Sequence, residues 1–445
     1  MSSPTPASQT PASGTPASKT PASETQGQRG PADRLSLWLS GAASRVGGWP
    51  WWLQVTLIFV VARLVSACIL MAAAIHQGTN PWFPPAPDYW NFITIWDGRW
   101  YQEAADNGYP SVLPVDANGV VQQNAWAFYA LFPFLARGLA AATGLGTLPA
   151  LTLIAMLAGV GAALVIYKLF REFAGKRAAL WGVVFVSTFP VSPILQVPYA
   201  ESLNLLLLSG ALLLVVRRRY LAAIPVVLLM CLSRPTGVPF AAMVGLLLLW
   251  RLWQRFRPSG TLSAPASGGD DKRTSVRSLL SLGALVLAAG IGALAWPAIA
   301  WATTGEITAY TRTETAWRGH DLVPFKPWFD TGRMLFGPVL GVLAPFVFTA
   351  LFVLVMMSRP VRALGTELRL WCACYMGYLL VFLHPQTSTF RMLLPLFPLA
   401  LAVALLSKSK AYRGTVVVMF VLLQIVWVVW LWAWAPLPGG GDYPP

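Results

Sequence analysis

Charge is what this 445-residue chain has least of. Asp, Glu, Lys and Arg make up 11% of it and hydrophobic residues 56%, whereas a soluble domain carries roughly 25% charged residues. That balance excludes an ordinary soluble protein. Cysteine is also scarce: Cys68, Cys231, Cys372 and Cys374 all fall inside apolar runs, with neither zinc nor disulfide spacing, and read as small buried hydrophobes. The three histidines, His76, His320 and His384, sit on three separate stretches. Without a short ligand spacing they call for no metal, so no cofactor is expected and a divalent ion lacks support. There is no Walker loop, dinucleotide glycine pattern or nucleophile elbow, which leaves a water-soluble nucleotide donor without a visible site. Acids number 17 against 32 bases, a net charge of +15. In a soluble protein that excess would suggest nucleic acid. Here the bases cluster between apolar runs, the pattern that orients a polytopic membrane protein, and no nucleic-acid partner is expected.

What the chain does have is a succession of apolar runs, each long enough to cross a hydrocarbon core of ~30 Å. The fold class they imply is an all-α polytopic membrane protein of about eleven spans, near 51–74, 147–169, 178–195, 199–216, 220–233, 236–253, 279–302, 335–357, 370–384, 391–406 and 413–434. Residues 1–45, with Thr-Pro-Ala-Ser repeated from Thr5, Thr10, Thr15 and Thr20, have little to bury and are expected to be a disordered cytoplasmic tail. The spans occupy 46–435, and 436–445 form an outer tail. Arg34 and Arg45 hold the first span's start inside, so 76–146 becomes a long outer loop. Counting 126–143 as a crossing would carry Lys168, Arg171, Lys176 and Arg177 outside. It is therefore read as a helix lying in the outer interface. A cytoplasmic loop at 255–277 and a second outer loop at 303–333 complete the scheme, which places most of the acids outside. A plasma membrane is the expected location, and the alanine-rich composition has an actinobacterial flavour.

The first outer loop holds Trp96-Asp97-Gly98-Arg99-Trp100-Tyr101, with Glu103, Asp106 and Gly108-Tyr109 beyond it. Loops this long usually do more than connect. Asp97 is either a solvated loop acid or helix cap, or a catalytic base held near lipid headgroups by its flanking tryptophans. Glu201, after Pro198-Tyr199-Ala200 at the start of a span, either complements the helix dipole or supports an acceptor. Arg234, in Ser233-Arg234-Pro235, and Arg391, between His384-Pro385-Gln386 and Met392, either snorkel to the surface or offer a planar fork to phosphate oxygens. Arg63, midway along the first span, is a third cation of this kind without supporting context.

These residues resemble a known family. Trp96-Asp97, Tyr101, Gly108-Tyr109 and Ala127-Phe128-Tyr129-Ala130-Leu131-Phe132-Pro133 look like the first-loop pattern of PIG-V-type mannosyltransferases. Pro198-Tyr199-Ala200-Glu201-Ser202, Ser233-Arg234-Pro235-Thr236-Gly237 and Phe390-Arg391-Met392-Leu393-Leu394-Pro395 are similar to further segments of that family. Tyr129-Ala130 stands where the family has Phe-Pro, and Pro235-Thr236 where it has Ser-Asn. The resemblance implies a GT-C-like fold with interfacial helices in the first outer loop and an extracytoplasmic site. It further implies a polyprenyl-phosphate-mannose donor, a glycolipid, glycan or protein acceptor, and Asp97 as the base. On that expectation Arg234 and Arg391 meet the donor phosphate, while Trp96, Arg99, Tyr101, Glu103, Tyr109, Tyr199, Glu201 and His384 support the site. A transporter or flippase of lipid-linked sugars is the rival class. It would lack use for an outer loop rich in acids and aromatics, and it would more often show internal repeats.

Overall fold

The computed structural model describes residues 48–256, 275–318 and 323–436. The expected tail at 1–45, most of the 255–277 loop, His320 and the stretch from 437 onward lie outside the described residues. Contacts divide the chain at Pro50, and every helix among the described residues belongs to the unit that begins at Trp51. Among the described residues there is no strand, only an isolated bridge between Val115 and Val121.

Helices of nine residues or more are α1 (Trp51–Ile75), α2 (Asp97–Asp106), α3 (Leu131–Thr143), α4 (Thr147–Arg171), α5 (Lys176–Thr188), α6 (Glu201–Val216) and α7 (Tyr220–Cys231). They continue with α8 (Gly237–Phe256), α9 (Val276–Thr304), α10 (Ala309–Arg318), α11 (Lys326–Met357), α12 (Gly365–Phe382), α13 (Pro398–Leu406) and α14 (Lys410–Trp427). Six candidate spans are long and apolar enough to cross a bilayer: α1, α4, α8, α9, α11, and α14 with the π turn that extends it to Trp432. A seventh is the pair Thr389–Leu396 and Pro398–Leu406, bent by 74°. This is a multi-pass membrane protein.

Each of the eleven expected runs holds a helix; the four outside this set are shorter or more polar, and proline shortens three of them. The run at 178–195 is helical only to Thr188, because Pro190 and Pro193 break it into the 3-10 turn Ser192–Gln196. Helix α6 starts only after Pro198, and α7 is 12 residues with Pro225 inside it. At 1.5 Å per residue such helices reach roughly 18–24 Å, short of the ~30 Å core. Helix α12 is 18 residues long but carries Glu367 and Arg369. Within α11 the backbone leaves the helix at Gly337 (φ 79°, ψ 177°), a conformation costly for any residue with a Cβ. The arms 326–336 and 338–357 meet at Gly332 and Gly341, and the second is the apolar one expected as a span.

Of the stretch 126–143, residues Leu131–Thr143 form α3, which at 13 residues is roughly 20 Å long. It buries Phe132, Pro133 and Ala136 and leaves Phe134 and Leu135 exposed. Its Arg137 donates to the carbonyls of Ala105 (2.5 Å) and Ala104 (3.4 Å), in the last turn of α2. A cation at the helix C-terminus complements its end carbonyls, and so fixes α2 on α3.

Arg63 belongs to the scaffold. Inside α1 it is buried and donates to the carbonyls of Ser192 and Ser187 and to Ser192 Oγ, tying α1 to the point where α5 breaks. Replacing Arg63 with Met would strand the Ser192 carbonyl and leave that of Ser187 with Ser192 Oγ alone. Arg63→Met is expected to lower stability by on the order of 3 kcal/mol, read as a fall in the thermal midpoint of the detergent-solubilised protein.

Candidate active site

Asp97 is the first residue of α2, and three neighbours determine how it is presented. The preceding Trp96 has φ 60° and ψ −126°, outside the usual regions for a residue with a bulky side chain. That turn is held from both sides. Trp96 Nε1 donates to the carbonyl of Trp432 at 2.8 Å. The fully buried Tyr199 hydroxyl accepts from the Asp97 N–H (3.0 Å) and donates to the carbonyl of Ile95 (3.2 Å). Gly98 permits the approach, since a Cβ there would lie 3.2 Å from Pro198 Cγ. The Trp-Asp-Gly and Pro-Tyr-Ala-Glu segments, about a hundred residues apart, are thus one packed unit.

From Asp97 a line of alternating charges runs inward. Asp97 Oδ2 pairs with Arg391 Nη1, which lies 3.6 Å from Glu201 Oε1. Glu201 Oε1 in turn lies 2.6 Å from Arg234 Nη1. The four side chains are only 4–14% exposed. The elements that carry them are fixed by hydrogen bonds of their own. Asn204, one turn along α6 from Glu201, donates to both Ser233 Oγ and Thr236 Oγ1 at 2.8 Å, clamping the loop that carries Arg234. Tyr375 donates to the carbonyl of Met392 and Trp371 to that of Pro395, each at 2.8 Å, fixing the short helical turn Thr389–Met392 that carries Arg391. The Arg391 guanidinium also lies over the Tyr199 ring, 5.6 Å from its centre. Glu201 Oε2 and Arg391 Nε are buried without a hydrogen-bond partner among the described residues.

These charges form one wall of a cavity of about 380 Å³. Trp82, Trp96, Trp100, Trp317, Tyr378 and Phe382 supply aromatic surface, and Arg99, Tyr101 and His384 also line it. Burial holds the Tyr101 phenol above its ordinary range, so it keeps its proton and can donate a hydrogen bond. The cavity lining contains four guanidiniums (Arg99, Arg234, Arg318, Arg391) and three carboxylates (Asp97, Glu201, Glu314). Arg391, Arg234 and Arg318 each face a carboxylate, the last pairing with Glu314 at 2.7 Å. Arg99 makes no side-chain ion pair or hydrogen bond among the described residues. The surplus positive charge of the cavity is therefore concentrated on Arg99.

Two residues expected at the site lie elsewhere. Glu103 is exposed and accepts from Asn107 at 2.9 Å. Six residues beyond Asp97 it is about a third of a turn off the buried face, whereas Tyr101, four residues on, shares that face. Tyr109 donates its hydroxyl to the carbonyl of Phe128 (2.8 Å) and packs on Trp126 and Trp296, in a separate aromatic cluster. Tyr199 stands behind Asp97 rather than in the cavity wall. Conversely, the structure adds Asn204, Glu314, Trp317 and Arg318, which the sequence does not single out. Helix α10 brings Glu314, Trp317 and Arg318 to the cavity at i, i+3 and i+4, a spacing that a helical reading of 303–333 would have revealed. Among the described residues no three His, Cys, Asp or Glu side chains gather as a metal ion would require.

No family model and no curated protein matches the chain. Among solved structures it is similar to ArnT from Cupriavidus metallidurans bound to undecaprenyl phosphate, with 14% identity, a TM-score of 0.46, and coverage of 80% of this chain and 61% of that one. It is also similar to the oligosaccharyltransferase of Archaeoglobus fulgidus in the apo form, with 13% identity, a TM-score of 0.45, and coverage of 84% and 56%. The same organism's AglB, in complex with an inhibitory peptide and a dolichol-phosphate, gives 14% identity, a TM-score of 0.43, and coverage of 84% and 55%. The chain thus spans a little over half the length of these proteins.

The Tyr199 bridge and the Tyr101 hydroxyl are expected to behave differently. Tyr199→Phe leaves the Asp97 N–H and the Ile95 carbonyl without their shared partner and should cost about 1–3 kcal/mol. Tyr101→Phe removes a hydroxyl that has no hydrogen-bond partner among the described residues and should stay within about 0.5 kcal/mol of the parent. Thermal unfolding of the two variants side by side checks the contrast.

Proposed function

We propose that the chain is a membrane glycosyltransferase that moves mannose from a polyprenyl-phosphate-mannose donor to an acceptor hydroxyl on a glycolipid, glycan or protein, with inversion at the anomeric carbon. The observation that carries this reading is a buried Asp97, held by Tyr199 and Arg391, in the wall of a cavity with one guanidinium to spare. In the proposed reaction Asp97 takes the proton of the acceptor hydroxyl as its oxygen forms a bond to the anomeric carbon. The bond from that carbon to the phosphate oxygen breaks, and its electron pair leaves with the lipid phosphate. One carboxylate base is enough for a single displacement, in contrast to the carboxylate pairs of glycoside hydrolases.

Charge balance supports the assignment. A sugar phosphodiester carries one negative charge, which matches the surplus of four guanidiniums over three carboxylates in the lining. The departing phosphate monoester approaches two negative charges at neutral pH. The proton received by Asp97 removes one carboxylate charge at the same moment, so the lining and its ligand remain balanced through the reaction. Arg391 and Arg234 pair with Asp97 and Glu201, and each keeps further N–H donors for phosphate oxygens. Arg99, with no carboxylate of its own, is the first landing point for the donor. Glu201 orients the acceptor, or Asp97 through Arg391. GT-C-like architecture enters this reading only through the sequence resemblance, and the extracytoplasmic position of the site comes from the charge distribution.

The test is sugar transfer by the purified protein from radiolabelled polyprenyl-phosphate mannose to extracted envelope acceptors. The parent protein should label an acceptor, and Asp97→Asn should lower kcat by about 10²–10⁴-fold at unchanged expression. Arg99→Gln should raise the donor KM roughly tenfold while kcat falls far less than in Asp97→Asn. Donor that merely changes leaflet, with no labelled acceptor, would identify a flippase instead.

A further inference from the structure

A second cavity, of about 640 Å³, lies where the turn after α6 meets the start of α9. Its walls bring together Arg218, Arg219 and Arg277, with Ser281 one turn further along α9. All three arginines are exposed, and among the described residues none makes an ion pair or a side-chain hydrogen bond. Their neighbour Arg217 differs: it pairs with Glu172 at 2.6 Å and does not line the cavity. Arg218 adopts the left-handed region (φ 57°), which turns the chain sharply and sets consecutive guanidiniums around the opening.

Two helices connect this cavity to the active site and fix its place. Helix α6 begins at Glu201 in the active-site wall and ends 16 residues later beside these arginines, roughly 24 Å away. Helix α9 begins next to Arg277 and ends at Thr304, just before the helix that carries Glu314 and Trp317 to the active site. It is 29 residues long, roughly 44 Å, and is itself a candidate span. The ends of a spanning helix lie at opposite membrane surfaces, so this basic cavity opens at the surface away from the active site. Beside it, Leu221 is 59% and Leu280 70% exposed, offering apolar surface toward the hydrocarbon side.

From this arrangement we infer that the cavity binds the phosphodiester headgroup of an anionic glycerophospholipid in the leaflet opposite the active site. Three guanidiniums without acid partners among the described residues supply charge-assisted donors to the phosphate, and the two leucines contact the acyl chains. The inference stands independently of the sugar-transfer reading, because it uses no residue of the active site.

Native mass spectrometry of the full chain, titrated with phosphatidylglycerol, phosphatidylcholine or inorganic phosphate, tests it. The parent protein should retain phosphatidylglycerol in preference to phosphatidylcholine. Each arginine removed should weaken retention about fivefold, so the Arg218→Gln/Arg219→Gln/Arg277→Gln triple variant should lose on the order of a hundredfold. Arg217→Gln removes a charge from the same turn but not from the cavity, and it should keep the parent's retention. Equal losses in Arg217→Gln and Arg219→Gln, or a triple variant that binds like the parent, would overturn the inference. So would displacement of the lipid by millimolar inorganic phosphate, which would make the site one for a free anion.

Discussion

The buried row Asp97–Arg391–Glu201–Arg234 is the constraint that the rest of the site serves. Taking four charges out of water is costly, and such a row is tolerated only when each charge meets its opposite in good geometry. Removing one member leaves its partner uncompensated in an apolar interior, a cost of typically 3–5 kcal/mol. The row therefore contributes little to stability on its own and much to the uniqueness of the arrangement. Asn204, Tyr199, Tyr375 and Trp371 commit their hydrogen bonds to the segments that carry these charges, so each carboxylate has one place to be.

The row also explains why so many helices stop where they do. Asp97 opens α2, Glu201 opens α6, Arg234 sits in the break between α7 and α8, and Arg391 lies just before a 74° bend. Irregular backbone at membrane depth survives only when buried in protein or lining a cavity. Here the breaks converge on the same cavity, and side chains satisfy the groups that the helices release. Pro198 and Pro235 stand beside two of the breaks and the strained turn at Trp96 makes a third.

That convergence sets how much can be read from the sequence. Glu201, Arg234 and Arg391 stand out as single charges at the margins of apolar runs, where a charge needs a reason, and Asp97 as an acid flanked by tryptophans in a long loop. Their pairing is not legible, because the partners come from stretches up to 294 residues apart. Arg63 carries the same signal for a different reason, since its partners are backbone carbonyls that no residue pattern displays. Glu103 and Tyr109 group with Asp97 by nearness in sequence, but α2 turns Glu103 outward and the chain carries Tyr109 into another cluster. Glu314 and Trp317 become legible only once 303–333 is read as containing a helix, which puts them on one face. Hydropathy runs unbroken through Pro190, Pro193 and Pro225 and gives no sign of how short the helices there are.

Sugar transfer by this site requires a lipid phosphate to enter the cavity beside Asp97. A structure of the protein with a polyprenyl phosphate bound measures that directly. The phosphorus should lie in the cavity, with Arg99 and Arg391 nitrogens within about 4 Å of its oxygens and Asp97 facing the open side where an acceptor would stand. Phosphate density outside the cavity, with Arg99 still unpartnered and the four-charge row undisturbed, would contradict it.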